Sequence, residues 1–145
     1  MAELTRIVLA GEGGQGVQTV AEILAEAANE EGKQALYIPN FGVEQRGGVS
    51  VAYVQISDRQ IGAPKFQIGD IVVALSDRAV HRTKKYVGPQ TTFVYDSIIQ
   101  GLEGDLPQNA GEVLPLPAIE VAKKEFHPRV FNIIILGAVV GISGV

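Results

Sequence analysis

The chain contains no cysteine among its 145 residues. That absence excludes disulfides, thiolate zinc sites, cysteine nucleophiles and cysteine-held iron–sulfur clusters from anything it does alone. It also lacks an excess of positive charge. The formal net charge is −4 and the 12 Lys and Arg residues are scattered, so no basic footprint for DNA or RNA exists. The first residues, Met1 to Arg6, lack a signal-peptide pattern, which predicts a cytoplasmic chain. The most apolar run, Val130 to Ile142, contains Asn132 and two glycines and falls short of the ~20 residues that span a bilayer. No membrane partner is expected. Repeats and low-complexity tracts are absent too. With 46% apolar residues, residues 1–145 suffice for one domain with a real core.

What is present centres on Gly11-Glu12-Gly13-Gly14-Gln15-Gly16. Leu4 to Ala10 before it is apolar enough for a buried strand. After it, Val17, Val20, Ala21, Leu24, Ala27 and Ala28 repeat at helical spacing, with Gln18, Glu22, Glu26 and Asn29 on the other face. Glycines in such a turn permit positive φ and close backbone approach, while the N–H groups of the helix start favour an anion. Gly11, Gly13 and Gly16 satisfy G-x-G-x-x-G, but the dinucleotide pattern also requires a carboxylate after the second strand. Here that strand, Gln34 to Ile38, runs into Pro39-Asn40-Phe41, which argues against NAD. No Lys-Ser or Lys-Thr follows Gly16, so a Walker loop is excluded. An anion-ready turn and a purely structural tight turn both remain open.

A second glycine-bearing loop, Phe41 to Gly48, is too short for a crossover helix. The strands it joins, Gln34–Ile38 and Val49–Ser57, are therefore expected to be antiparallel. Asp58-Arg59-Gln60 reads as a turn and Ile61 to Pro64 as a short edge piece. Ile71 to Leu75 follows as a buried strand, then Ser76 and Asp77 as N-cap candidates for a helix running to about Tyr86. Lys84 and Lys85 complement its end and Gly88-Pro89 stops it. Thr91 to Tyr95 and Glu112 to Leu116 complete the strands, with Asp96-Ser97 in a loop. Pro117 suits the first turn of a helix that His127-Pro128 breaks. The expected architecture is α/β, a three-layer α/β/α sandwich with a mixed, mostly parallel sheet and a Rossmann-like glycine loop.

Of the titratable residues, His81 reads as a solvated helix residue rather than a base, and His127 as structural. Neither has the neighbours of a triad, and the acidic residues show no metal-ligand spacing. Arg46 stands apart. Flanked by Gln45 and Gly47-Gly48, at the strand exit where open α/β sheets take ligands, it fits contact with an anion or a partner chain as well as a surface salt bridge.

Taken together, Gly11 to Val17, Pro39 to Gly48, Ile56-Ser57-Asp58 and Asp70 to Leu75 resemble the gamma subunit of the 2-oxoacid:ferredoxin oxidoreductases. The same domain occurs within single-chain pyruvate:ferredoxin oxidoreductases. Pro117 with its short helix, Asn132 and Leu136-Gly137-Ala138 resemble that family's C-terminal pattern. The likeness spans nearly the whole chain in collinear segments.

The resemblance implies a subunit of an enzyme that decarboxylates a 2-oxoacid on thiamine diphosphate, passes electrons through iron–sulfur clusters to ferredoxin and releases an acyl-CoA. Thiamine diphosphate, magnesium and the clusters then belong to alpha, beta and ferredoxin-like delta subunits. This agrees with the missing cysteines. The isolated chain is expected to be inactive, with no catalytic residue and no metal. CoA is the cofactor the resemblance offers to Gly11, Gly13, Gly14, Gln15, Gly16, Arg46, Gly47 and Gly48. Glu44 to Gly48 resembles the 2-oxoglutarate type more than the pyruvate type, which tends to have alanine after the first glycine. Such subunits usually continue some tens of residues beyond the position of Val145. A free-standing nucleotide- or CoA-binding module and a ligand-free structural adaptor are the alternatives. Finally, the tail from Val130 is apolar on all sides of a helix, so a cover from further residues, a second copy or the larger subunits is expected. The isolated chain should then be at least a homodimer.

Overall fold

The computed structural model describes residues 4–12, 16–39, 49–62, 66–96 and 106–116. In chain order these form β1 (Leu4–Glu12), α1 (Val17–Glu30), β2 (Gln34–Pro39), β3 (Val49–Ser57), β4 (Ile71–Ala74), α2 (Asp77–Thr83) extended by a 3₁₀ turn (Lys84–Tyr86), β5 (Thr92–Asp96) and β6 (Glu112–Leu116). One sheet holds all six strands in the order β2-β3-β1-β4-β5-β6. β3 is antiparallel to both of its neighbours, and the pairs β1/β4, β4/β5 and β5/β6 are parallel. The mixed, mostly parallel α/β fold expected from the short second loop is therefore the fold observed.

Alternation along the strands divides the core between two faces. On one, Ile7 and Leu9 of β1 and Ala52, Val54 and Ile56 of β3 cluster with Val17, Val20, Ala21, Leu24 and Ala28 of α1. On the other, Val8, Ala10, Val51, Val72, Ala74 and Phe93 cluster with Ala79 and Val80 of α2. Each fully buried Val, Leu or Phe contributes about 1.5–3 kcal/mol, so the period-2 strands fix which helix lies on which side.

Several element limits differ from the sequence reading. β1 runs on to Glu12, because Gly11 and Glu12 still pair with Ser50 and Val49 of β3. Gly11 is thus a ladder residue rather than part of the turn. In α1 it is Ala25, not Ala27, that is buried. The apolar stripe leans to the side of the helix lying against the sheet, and alanine is neutral enough to sit on either face. Ile61 and Gly62 join no strand. Asp96 is the last residue of β5 and is fully buried. α1 ends where Gly32 takes a φ of 85°. There Lys33 N–H donates to Ala28 O (3.0 Å) and Gly32 N–H to Asn29 O (3.0 Å), the paired bonds of a Schellman stop. The expected helix after Pro117, His127 and the apolar tail from Val130 lie outside the described residues.

Candidate functional site

β1 and β4 are adjacent and parallel, yet the chain leaves β1 towards β2 on one side of the sheet and β4 towards β5 on the other. Diverging connections open a crevice beyond the C-terminal strand ends, where sheets of this kind take ligands. The glycine turn begins at that crevice. Glu12 lies opposite Val49 in the ladder, and Pro39 opposite Ala52. The flanks of both glycine segments thus emerge at one sheet edge. Gly13, Gly14, Gln15, Arg46, Gly47 and Gly48 themselves lie outside the described residues.

Gly16 closes the first segment with φ 79° and ψ 20°, a left-handed conformation that opens α1. A Cβ there would meet the following carbonyl, so glycine is required for the turn. Helix geometry leaves the N–H groups of Val17, Gln18 and Thr19 without an intrahelical acceptor. Gly16 offers no side-chain cap, and the first turn holds no acidic residue. This end of α1 keeps its donors and the positive end of its dipole, the electrostatic requirement for holding an anion.

Three side chains brace the start of α1 against β3 and β2. Gln18 Nε2 donates to Ser50 Oγ (2.9 Å) and to Val51 O (3.1 Å), and Tyr37 OH donates to Gln18 Oε1. Burial, and to a lesser degree the Glu22 charge, raises the Tyr37 phenol above its usual value, so it stays a neutral donor at physiological pH. The sequence reading put Gln18 on the solvent face. In the structure it is half-buried and turned to the sheet, because the second residue of the helix hangs over the ends of β2 and β3 rather than over water.

Glu12 is the other feature that helical and strand periodicity did not expose. It places a carboxylate at the mouth of an anion-ready turn, which would repel an anionic guest unless balanced. Balance comes from the next strand's turn: Ser76 Oγ donates to Glu12 Oε2 (2.8 Å) and Arg78 Nη2 to Glu12 Oε1. Arg78 holds the Glu12 carboxyl below the usual glutamate range, against the upward push of partial burial, and Ser76 adds to the lowering. Glu12 in turn raises Arg78 above the ordinary arginine value. Ser76 is also the N-cap of α2, accepting from Ala79 N–H (3.1 Å). One hydroxyl therefore starts α2 and ties it to β1. A carboxylate inside a glycine run was the available signal, since such a charge calls for a cation nearby.

Other expected features take simple places. β2 ends at Pro39, and Asn40-Phe41 follow it in the sequence, so the strand end itself carries no carboxylate of the kind that meets a dinucleotide's ribose. His81 lies on the exposed side of α2. Among the described residues no group of three His, Cys, Asp or Glu side chains could hold a metal, and no helix is long and apolar enough to cross a membrane.

Against known proteins, the family description "Pyruvate ferredoxin/flavodoxin oxidoreductase" matches residues 6–145. Over 138 residues the chain is 34% identical to the ketoisovalerate oxidoreductase subunit VorA of Methanothermobacter thermautotrophicus, with 95% of this chain covered. It spans only 28% of that relative's length. Among solved structures it is similar to the gamma subunit of a keto/oxoacid ferredoxin oxidoreductase from Geobacter sulfurreducens. The TM-score is 0.79 at 33% identity, covering 97% of this chain and 78% of that one. It is also similar to 2-oxoglutarate:ferredoxin oxidoreductase from Magnetococcus marinus, solved with 2-oxoglutarate, coenzyme A and succinyl-CoA bound. There the TM-score is 0.85 at 26% identity, covering 97% of this chain and 24% of that one. With a family match over nearly its whole length and the family's mixed α/β sheet, the chain belongs to the pyruvate ferredoxin/flavodoxin oxidoreductase family.

Proposed function

We propose that the chain is the gamma-type component of a 2-oxoacid:ferredoxin oxidoreductase that oxidatively decarboxylates a 2-oxoacid, of the 2-oxoglutarate type, to its acyl-CoA with electrons passed to ferredoxin. The observation that carries this reading is the family match over residues 6–145, supported by likeness to a solved gamma subunit. Thiamine diphosphate, magnesium and iron–sulfur clusters are assigned to alpha, beta and delta-type partners, since a chain without cysteine offers no thiolate for a cluster. A cytoplasmic location and self-association of the isolated chain belong to the same proposal.

CoA is the group proposed for the glycine edge. The uncapped start of α1, with Gly16 in its left-handed conformation and no acid in the first turn, fits a phosphate. The balanced Glu12–Arg78 pair leaves no net negative charge beside it. Gly13, Gly14, Gln15 and Gly16 would form the cradle, anchored by Gly11 in the β1 ladder, with Arg46, Gly47 and Gly48 supplying a cation and close backbone approach. When bound, CoA supplies the thiol that accepts the acyl group. This chain's own residues orient it: Gln18, Tyr37 and Ser50 hold the helix start in place, and Ser76 and Arg78 hold Glu12 aside.

Reconstitution tests the reading. Partner subunits carrying thiamine diphosphate and clusters should reduce methyl viologen with 2-oxoglutarate and CoA only when this chain is added, and the chain alone should do nothing. Turnover by the chain alone, or full activity of the partners without it, would overturn the assignment. Calorimetric titration of CoA into wild type and Arg46→Ala separates the ligand question, with weaker binding expected in the variant and its fold unchanged.

A further inference from the structure

At the other end of β1, on the face that carries α2, lies an open groove of about 580 Å³. That volume falls in the range of small-molecule sites, about 300–1,000 Å³. Leu4 and Glu12 stand at opposite ends of the strand, and at about 3.4 Å per residue the groove floor at Arg6 is about 20 Å from the glycine edge. It is therefore independent of the reading given above.

Its floor is a cross-strand pair. Arg6 of β1 stands opposite Gln55 of β3 in register, so their side chains share one face and are neighbours. Gln55 is buried, at 3% exposure. Arg6 N–H donates to Asp70 Oδ2 (2.7 Å), and Arg6 O accepts from Asp70 N–H (2.8 Å). Both bonds use the main chain. Among the described residues no carboxylate is paired with the Arg6 guanidinium.

The walls are mostly apolar, with Gln67 among them. Leu4, Phe66 and Ile68 line the groove. Phe66 meets Tyr53 edge-on at 6.0 Å between ring centres. Ile68 is 45% exposed, one of two large apolar side chains so exposed among the described residues. The backbone beside it is anchored, since Gly69 N–H donates to Tyr86 O (2.8 Å). An apolar wall left open to water beside a guanidinium matches a ligand with an apolar body and one anionic head.

We propose that this groove is a second binding site, for a small amphipathic anion whose carboxylate, sulfonate or phosphate meets Arg6 while a ring or branched chain lies against Leu4, Phe66 and Ile68. Gln55 lies beside the head as the neighbouring polar side chain.

The probe is 8-anilinonaphthalene-1-sulfonate, an apolar ring system with one anionic group, titrated into the purified full chain by fluorescence. One saturable site is expected, with amide shifts on NMR confined to residues near 55 and 66–68. Arg6→Gln should weaken binding about ten-fold or more without changing the circular dichroism or melting, because residue 6 bonds to Asp70 through its main chain. Ile68→Asn should weaken it too, and 1-anilinonaphthalene, which lacks the sulfonate, should bind less tightly than the sulfonate. Unsaturable binding, or equal affinity in wild type and both variants, overturns the proposal. Absence of probe binding together with hydrogen-exchange protection of residues 66–68 on adding partner subunits also overturns it, and identifies the groove as a protein interface.

Discussion

The two faces of the sheet are covered by different means. One carries α1, a 14-residue helix whose Val, Leu and Ala side chains meet the aliphatic residues of β1 and β3. The other carries α2, of seven residues, and among the described residues aromatic rings add to its cover. Tyr53, Phe66, Tyr86 and Tyr95 pack around Phe93, Val72 and Val80, and Tyr53 OH and Tyr86 OH share a hydrogen bond of 2.7 Å. The caps differ in the same sense. α1 starts without a side-chain cap and stops on backbone bonds at Gly32, whereas α2 starts on the Ser76 hydroxyl. A long helix is held by a periodic stripe and can leave its N-terminal donors for a ligand. A two-turn helix has too few buried residues for that and depends on its cap and on rings brought from elsewhere.

If the irregular face is as well packed as the regular one, equal deletions should cost alike. Phe93→Ala, at 0% exposure, is expected to lower stability by about 3–5 kcal/mol, and Leu24→Ala, at 2% exposure, by about 2–5 kcal/mol, both by urea unfolding. A Phe93 variant costing under half of the Leu24 variant would show that the aromatic face is loosely filled, and the contrast would have to be redrawn.

The helix ends sharpen the comparison at smaller energies. Gly32→Ala forces a Cβ into φ 85° with open space around it, so conformational strain alone should cost about 1–2 kcal/mol. Ser76→Ala removes the α2 cap and a bond to Glu12, with a loss of about 1 kcal/mol expected. Amide exchange in the first turn of α2 should quicken, while α1 keeps its protection. Protection lost equally in both helices would mean that they unfold as one unit regardless of how each is capped.

The smallest effect is a pH dependence. Arg78 lowers the folded-state value of Glu12. The resulting stability is fully present above the usual carboxylate range and is lost as pH falls below about 4–5 and through the folded value. Glu12→Gln should flatten that part of the acid limb and change nothing at neutral pH beyond the lost ion pair. An unchanged acid limb would mean that the pair does not persist in solution.

Most of the architecture was legible in advance because the signals are local. The β-branched runs at Val49–Ser57 and Ile71–Ala74, the helical stripe after Gly16 and the hydroxyl at Ser76 each act within a few residues. The short second loop settled the direction of β3 for a reason of length alone. The glycine edge was only partly legible. The glycines marked the turn, but nothing local singled out Glu12 or Arg78, and the helical spacing put Gln18 on the solvent face. Arg6 and Gln55 are far apart in sequence, and nothing in either neighbourhood points to the other.

By itself, then, the sequence determined the elements, the reversal of β3 and the family, since each follows from short-range periodicity, turn chemistry or collinear motifs. Strand order was decided only by the tertiary structure. Placing β4 next to β1 brings Ser76 and Arg78 to Glu12 across 64 and 66 residues of chain, and placing β3 next to β1 sets Gln55 beside Arg6. Such meetings depend on which strands share hydrogen bonds, a choice made by the burial of both faces of the sheet at once, and no single stretch of the chain carries it.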